Sequence, residues 1–250
     1  MKRTAAVMLL AAVPVLAWAD APMERALKAD VDAAALKSLT LRVGVGEVRV
    51  TASSDDRIHA QVTLRQKQRE FMWFFHWVSQ GTAKDIAAAS LQQVQQGDSV
   101  ILSLDYPGDD QGDDLKQEWE VQLPARLALT ADMKVGELSI EGVTGGVDAD
   151  LDVGELSIDT PAGSMRANVN VGEIRATSGS TQLGQVSLSS SIGEAVTTIG
   201  GKSAGFHEHD GLGNRVSLPG TGPDSMHLSV NVGEVSLHVT PAAAGTKGVK

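Results

Sequence analysis

Three aspartates that alternate with small apolar residues are the first group in this sequence that could do chemistry. Asp148, Asp150 and Asp152 occupy every second position, and Arg166 follows Asp148 after 18 residues. Alternate residues of a β-strand point to the same face, so the three carboxylates would lie side by side. Paired carboxylates beside an arginine could perform general acid–base chemistry on a polysaccharide. The same pattern fits a solvated charged face, and we favour that interpretation.

A metal site is the second chemistry that the sequence suggests. His207 and His209 are two residues apart, so on a strand they would share one face, and imidazole is a common zinc ligand. No third or fourth ligand is visible nearby, so we favour a polar loop and expect no metal. The chain has no cysteine, which excludes disulfides, thiolate sites and a thiol nucleophile. It also lacks the HExxH, phosphate-loop and serine-elbow motifs, and we expect no cofactor and no enzyme.

A repeated tetrapeptide, aliphatic-Gly-Glu-apolar, organises the elements that carry these residues. Its glycines are separated by 90, 18, 18, 21 and 40 residues, close to multiples of 18–21, and a degenerate copy at 212–214 divides the longest of the later intervals. Repeats of this length indicate stacked structural units. The copies supply the residues of a predicted structural corner: Gly46 and Glu47, Gly136 and Glu137, Gly154 and Glu155, Gly172 and Glu173, Gly193 and Glu194, and Gly233 and Glu234.

The residues around each glycine predict a bent strand. Apolar and polar residues alternate up to the glycine and resume one position out of phase beyond it. This predicts that the inward-facing series before the corner ends at Val153, Val171 and Val232 in three of the copies. A strand that gains one residue while keeping its inner face must bend, and glycine permits that bend.

These patterns predict an all-β fold, a single-stranded parallel β-helix (solenoid) with about 18–21 residues per coil. Coils stacked in chain order share an aliphatic core. An antiparallel sandwich is the alternative, but most strands are not separated by hairpin turn residues.

Stacking in chain order predicts a column of carboxylates from Glu137, Glu155, Glu173 and Glu194, about 4.8 Å apart. Two unit charges at that spacing repel by about 0.8 kcal/mol even in water. We expect hydrogen bonds from the backbone N–H groups of the corner to offset this repulsion. A cation shared along the column is the alternative.

Residues 65–125 interrupt the repeat and form a predicted cap. A hairpin with a Gly-Asp turn is predicted at 91–102, after a short helix from Thr82 to about Ser90. Five of the nine Phe, Trp and Tyr residues lie just before that helix, so the aliphatic core does not use them: Phe71, Trp73, Phe74, Phe75 and Trp77. We expect this aromatic segment to cover an end of the β-helix. Contact with a partner protein or a membrane interface is the competing interpretation.

The N-terminus has the features of a secretory signal peptide at 1–19. Lys2 and Arg3 precede an apolar run, and Ala17-Trp18-Ala19 matches a cleavage site. We therefore expect residues 20–250 to form one exported domain, in the periplasm or, alternatively, secreted or at the cell surface. A net charge of −10 argues against nucleic acid as a partner.

The segment VGELSIEGVTGGVDADLDVGELSID, together with the export signal, resembles the bacterial "putative-adhesin" family of β-helix domains, also called toast-rack or GIN-type domains. The resemblance covers about 120–240 well and 39–64 less well. It implies a right-handed β-helix and an envelope-associated role, and it supplies no catalytic residues.

The leading hypothesis is therefore a non-enzymatic β-helix protein of the cell envelope that binds an envelope protein or a glycan. Adhesion, scaffolding and stress sensing are all compatible with it, and the aromatic segment could add peripheral membrane contact. The alternative is a polysaccharide-active lyase or hydrolase that uses Asp150, Asp152 and Arg166.

Overall fold

The computed structural model describes residues 24–66, 86–106 and 115–240. The signal sequence and the aromatic segment at 71–77 lie outside these ranges, so both remain predictions. Within them the protein is all-β, with 14 strands in one sheet. The strands are β1 (Glu24–Asp32), β2 (Ser38–Ser53), β3 (Arg57–Gln66), β4 (Ser90–Gln96), β5 (Ser99–Asp105), β6 (Leu115–Pro124), β7 (Ala128–Glu141), β8 (Val147–Thr160), β9 (Met165–Ser178), β10 (Leu183–Ile199), β11 (Lys202–Ser203), β12 (Phe206–Asp210), β13 (Gly213–Leu218) and β14 (Asp224–Val239).

The sheet is mostly parallel. Its centre is formed by six long strands in the order β2–β7–β8–β9–β14–β10, and every neighbouring pair is parallel. The first half of β2 also pairs with β5 and the second half with β6. Antiparallel strands complete both ends, with β3 and β1 beyond β6, and β13 and β12 beyond β10.

The six glycines of the repeat lie in register along one corner of this sheet. Gly136 pairs with Gly46 and with Gly154, and the series continues through Gly172 and Gly233 to Gly193. A Cβ atom on Gly154 would lie 1.8 Å from the carbonyl oxygen of Gly136, and Gly172 is in the same relation to Gly154. The φ angles from +135° to +144° at the last five glycines are also unfavourable for residues with a side chain.

The bend is wider than the one-residue slip that the sequence suggests. In β8 the buried series ends at Leu151 and resumes at Leu156. The prediction that Val153, Val171 and Val232 face inward is wrong, because they are 43%, 42% and 42% exposed. The glycine turns the backbone at a convex corner, so consecutive side chains before it point outward, as in a β-bulge.

The strand order also departs from stacking in chain order. The C-terminal strand β14 lies between β9 and β10, so Glu234, and not Glu194, is the neighbour of Glu173. The degenerate copy at 212–214 forms no long parallel strand of its own, because β12 and β13 make an antiparallel hairpin on the outer side of β10. Residues 202–218 contain no aliphatic-Gly-Glu corner and cannot continue a bent strand, whereas β14 contains one and fits the interior of the sheet.

Basic side chains, in place of the expected backbone N–H groups, contact three of the corner carboxylates, those of Glu47, Glu155 and Glu173. Arg175 donates to Glu155 Oε2 over 3.2 Å and also to Glu173. At the other end, Lys116 Nζ lies 2.6 Å from Glu47 Oε1. A guanidinium between two carboxylates on adjacent strands offsets their mutual repulsion, although exposed pairs of this kind contribute only about 0–1 kcal/mol.

The predicted cap contributes strands to the main sheet. Its hairpin is confirmed, since β4 and β5 pair antiparallel around Gly97, which has a φ of +63°. Residues 86–88 form one helical turn, and Arg25 Nη1 binds the carbonyl oxygens of Ile86 (3.0 Å) and Ala89 (2.8 Å), which ties this turn to β1. The proposed helix start at 82–85 lies outside the described residues. No helix in the described ranges is long and apolar enough to cross a membrane.

The glycine corner can be tested with alanine at two glycines that both have a positive φ but differ in the space around them. We expect Gly154→Ala to lower the free energy of unfolding by about 4 kcal/mol or to prevent folding, because strain and overpacking act together. Gly97→Ala is the control, since its positive φ is kept but its Cβ would meet nothing within 4 Å, and it should cost about 1–2 kcal/mol. If chemical denaturation gives the same loss of unfolding free energy for both variants, the close contacts between neighbouring corner glycines are contradicted.

The pairing of β1 with β3 should depend on pH through His59. Its Nε2 lies 2.9 Å from Asp55 Oδ2, and its Nδ1 contacts Asp30. The hydrogen bond to Asp55 raises the pKa of His59 above 6.5 and lowers the pKa of Asp55 below 3.8. A raised histidine pKa stabilises the fold below pH 6.5, and this contribution is lost as pH rises through the raised value. The carboxylate contribution is lost as pH falls through the lowered pKa of Asp55.

We therefore expect the stability difference between wild type and His59→Gln to be largest between these two limits and to shrink on either side. Urea unfolding of both proteins across this pH range measures it. A difference that does not change with pH would show that the histidine contributes only as a neutral hydrogen-bonding group.

Candidate binding face

The outward side chains that precede the glycine corner form a polar face across six parallel strands. The three aspartates of β8 point outward here, and the register places Asp148 beside Arg166 and Asp150 beside Asn168. The outward side chains change from charged on the strands near β2 to neutral on the strands near β10. The members used below are Asp148, Asp150, Asp152, Arg166, Asn168, Asn170, Ser229 and Asn231.

Hydrogen bonds between neighbouring strands hold this polar face in place. Asn168 donates from Nδ2 to Asp150 Oδ1 over 2.7 Å, and it accepts a hydrogen bond from Ser229 Oγ over 2.6 Å. One row nearer the corner, Asn231 Nδ2 donates to Asn170 Oδ1 over 3.1 Å. The side chains are therefore exposed but already ordered, which lowers the entropy that a ligand would have to remove.

Asp148 has an electrostatic environment that differs from that of a free surface carboxylate. Partial burial raises its pKa above 3.8, the negative charge of Asp150 raises it further, and Arg166 lowers it. In the catalytic alternative, Asp150 and Asp152 would act together with Arg166. The strand register instead places Arg166 beside Asp148, one row away from Asp150. Asp150 is engaged with Asn168.

A cleft of about 500 Å³ lies at the charged end of the polar face. It lies among β2, β5, β7 and β8, and we call it the Tyr106 cleft. Asp150 and Asp152 form one wall, and Arg42, Asp132 and Tyr106 complete the polar lining used here. The Tyr106 hydroxyl oxygen is buried and has no hydrogen-bond partner among the described residues. Burial raises the pKa of this hydroxyl to about 12, so it stays protonated and is a potential donor.

The residues that complete this cleft are not among those predicted from the sequence. Arg42 Nε lies 3.9 Å from Asp132 Oδ2, a contact that the 90-residue interval between Gly46 and Gly136 could have revealed, because equal distances from the corner place the two residues side by side. Tyr106 is the one tyrosine of the chain, but no periodic signal connects it with β8.

The two histidines considered as metal ligands have different surroundings, and only one of them lines a cleft. His209 lines a second cleft, of about 870 Å³, together with Glu173, Glu194 and Glu234 from the carboxylate column, whereas His207 does not line it. Among the residues that the structure describes, no group of three or more His, Asp or Glu side chains could hold a metal ion.

Comparison with solved structures identifies the same fold in a bacterial protein. A "putative cell adhesion protein" from Clostridium sporogenes ATCC 15579 matches with a TM-score of 0.54 and 12% identity, over 88% of this chain and 100% of that chain. A "putative adhesin" from Bacteroides fragilis NCTC 9343 has a TM-score of 0.30 and 13% identity, over 85% of this chain and 97% of that chain. No protein-family model and no curated protein matches the sequence. At this identity the first match establishes a shared fold.

Two substitutions near Asp148 should change its pKa in opposite directions. Removing the guanidinium in Arg166→Gln should raise the pKa of Asp148 further, whereas Asp150→Asn should lower it toward 3.8, because one neighbouring negative charge is lost. Carboxyl ¹³C chemical shifts measured in an NMR titration report both changes. Changes of the same sign in the pKa of Asp148 in both variants would contradict this placement of Arg166 and Asp150 around Asp148.

Proposed function

We propose that this chain is an exported, non-enzymatic β-helix protein of the bacterial cell envelope that binds a glycan through its polar face. The adhesion-type role rests on the fold shared with the clostridial protein and on the ordered polar face. The export signal at 1–19 supports a periplasmic location. The aromatic segment at 71–77 would add contact with an envelope protein or a membrane surface.

The β-helix part of this proposal is supported by the lengths of strands and connections. β7 and β8 have 14 residues each, and a straight strand of that length would span about 46 Å. Only residues 142–146 connect them, and five residues reach at most about 18 Å. Because β8 starts beside the start of β7, each strand must bend back toward its own beginning, which generates one coil. The handedness rule for parallel connections favours a right-handed coil.

The lateral hydrogen bonds of the polar face are the observation that favours glycan binding. Sugars present hydroxyl groups that both donate and accept, and a row of carboxylate, amide and hydroxyl groups offers both partners. The row from Asp150 through Asn168 to Ser229 is continuous over three strands. A rigid sheet holds these groups at fixed spacing, so it can bind several sugar residues without reorganising.

The same hydrogen bonds favour binding over the alternative polysaccharide-active enzyme. A general base must be free to take a proton from the substrate or from water. Asp150 Oδ1 instead accepts a hydrogen bond from Asn168 at 2.7 Å, so one of its two oxygens is already engaged. Asp152 and Arg166 would have to act without it.

Binding by the polar face can be tested on an array of bacterial envelope glycans. Replacing Asn170 and Asn231 with alanine removes one ordered row, and we expect at least tenfold weaker binding, since each lost hydrogen bond contributes about 1 kcal/mol. The control is Ser157→Ala with Thr177→Ala, on strands of the same sheet beyond the corner.

Three results would contradict the proposal. Equal binding by the variant and the control would exclude the polar face, and release of shorter saccharides from a bound ligand would favour the enzyme. Capture of an envelope protein through the aromatic segment in the absence of glycan binding would replace the glycan as the partner.

A further inference from the structure

We infer that the Tyr106 cleft binds one sugar residue that carries a protonated amino group, and that this residue anchors a glycan chain lying along the polar face. The inference rests on the proposed function and deepens it, because the cleft lies at the charged end of that face and shares Asp150 and Asp152 with it.

The shape of the cleft suits a single ring. Its volume is about 500 Å³, within the range of small-molecule sites, which are concave and combine apolar surface with a few fixed polar groups. Leu104 and Tyr106 are partly buried and provide apolar surface, and the Gln117 side chain lies over Gly44. The adjoining hollow over Asn168, Asn170 and Asn231 begins at the same two aspartates, so a chain can leave the cleft along the polar face.

Tyr106 lines the cleft, and its hydroxyl oxygen is a buried polar atom. It is a protonated donor and acceptor that is buried without a hydrogen-bond partner in the described part of the chain. Buried polar groups are almost always paired, so an unpaired one requires an explanation. Because this oxygen is buried, a sugar hydroxyl would exchange hydrogen bonds with the phenol only after the Tyr106 side chain turns toward the cleft.

The charge of the cleft selects the kind of sugar. Four carboxylates line it, from Asp105, Asp132, Asp150 and Asp152, against two basic groups, Arg42 and Lys134. Arg42 lies 3.9 Å from Asp132, and Asp150 accepts a hydrogen bond from Asn168. Asp152 forms no ion pair or hydrogen bond within the described residues. An excess of two negative charges disfavours uronic acids and favours an ammonium group next to Asp152.

Isothermal titration with three oligosaccharides of equal length tests this inference: glucosamine oligomers, their N-acetylated counterparts and oligogalacturonate. We expect the glucosamine oligomer to bind about tenfold more tightly than the acetylated one, and the uronate most weakly. Asp152→Asn should abolish the tenfold preference. Asp159→Asn, an exposed aspartate of the same strand beyond the corner, should keep it. Tyr106→Phe retains the ring and should weaken binding of both hexosamine oligomers about fivefold.

The possible failures are distinguishable. Equal affinity for the charged and acetylated oligomers, or the same behaviour of Asp152→Asn and Asp159→Asn, would overturn the amino-sugar inference. If glycan binding is lost in the Asn170 and Asn231 variant but unchanged by substitutions in the cleft, the cleft is not the anchor and the proposed function stands. If the folded wild-type protein binds none of the three oligomers, the cleft inference fails, and the envelope-glycan array decides the proposed function separately.

Discussion

The contact between each corner glycine and the carbonyl oxygen of its neighbour is the constraint on which this structure depends. An added Cβ would lie 1.8–1.9 Å from that oxygen along the whole ladder, well inside any van der Waals contact. The six long strands can approach each other at the bend only because none of them has a side chain there. Register follows from the same contact, because a shift of one residue would bring a valine or a glutamate into the corner and reverse every inward-facing side chain.

The corner divides the outer surface into two regions of different chemistry. The residues before it form the polar face, in which amide, hydroxyl and carboxylate groups hold each other by hydrogen bonds. Just beyond it lies the column of glutamates, whose repulsion is offset by Arg175 and Lys116. An aliphatic row separates the two, with Val153, Val171 and Val232 each about two-fifths exposed. The backbone geometry of the corner glycines thus determines the position of all three surfaces.

At both ends of the sheet, additional strands cover edges that would otherwise be unpaired and exposed. At one end β2 is covered by two separate strands, β5 and β6, and the buried Trp119 donates to Gln117 beneath the corner at Gly46. At the other end the β12–β13 hairpin covers part of β10. The Tyr106 cleft exists because β5 ends beside β2 where the long bent strands begin, so the arrangement that covers an edge also forms the cleft.

The sequence by itself determined the strands, the glycine corner and the register of β7, β8 and β9, because an 18-residue interval repeats the same local pattern and neighbouring units align with equal spacing. It also determined that Asp150 lies beside Asn168. Only the tertiary structure decided that β14 enters between β9 and β10, that Val153 points outward, and that Tyr106 joins Arg42 and Asp132 in one cleft. The first depends on which edge of β10 the β12–β13 hairpin covers, the second on backbone torsion at a convex bend, and the third on contacts between segments that share no repeat.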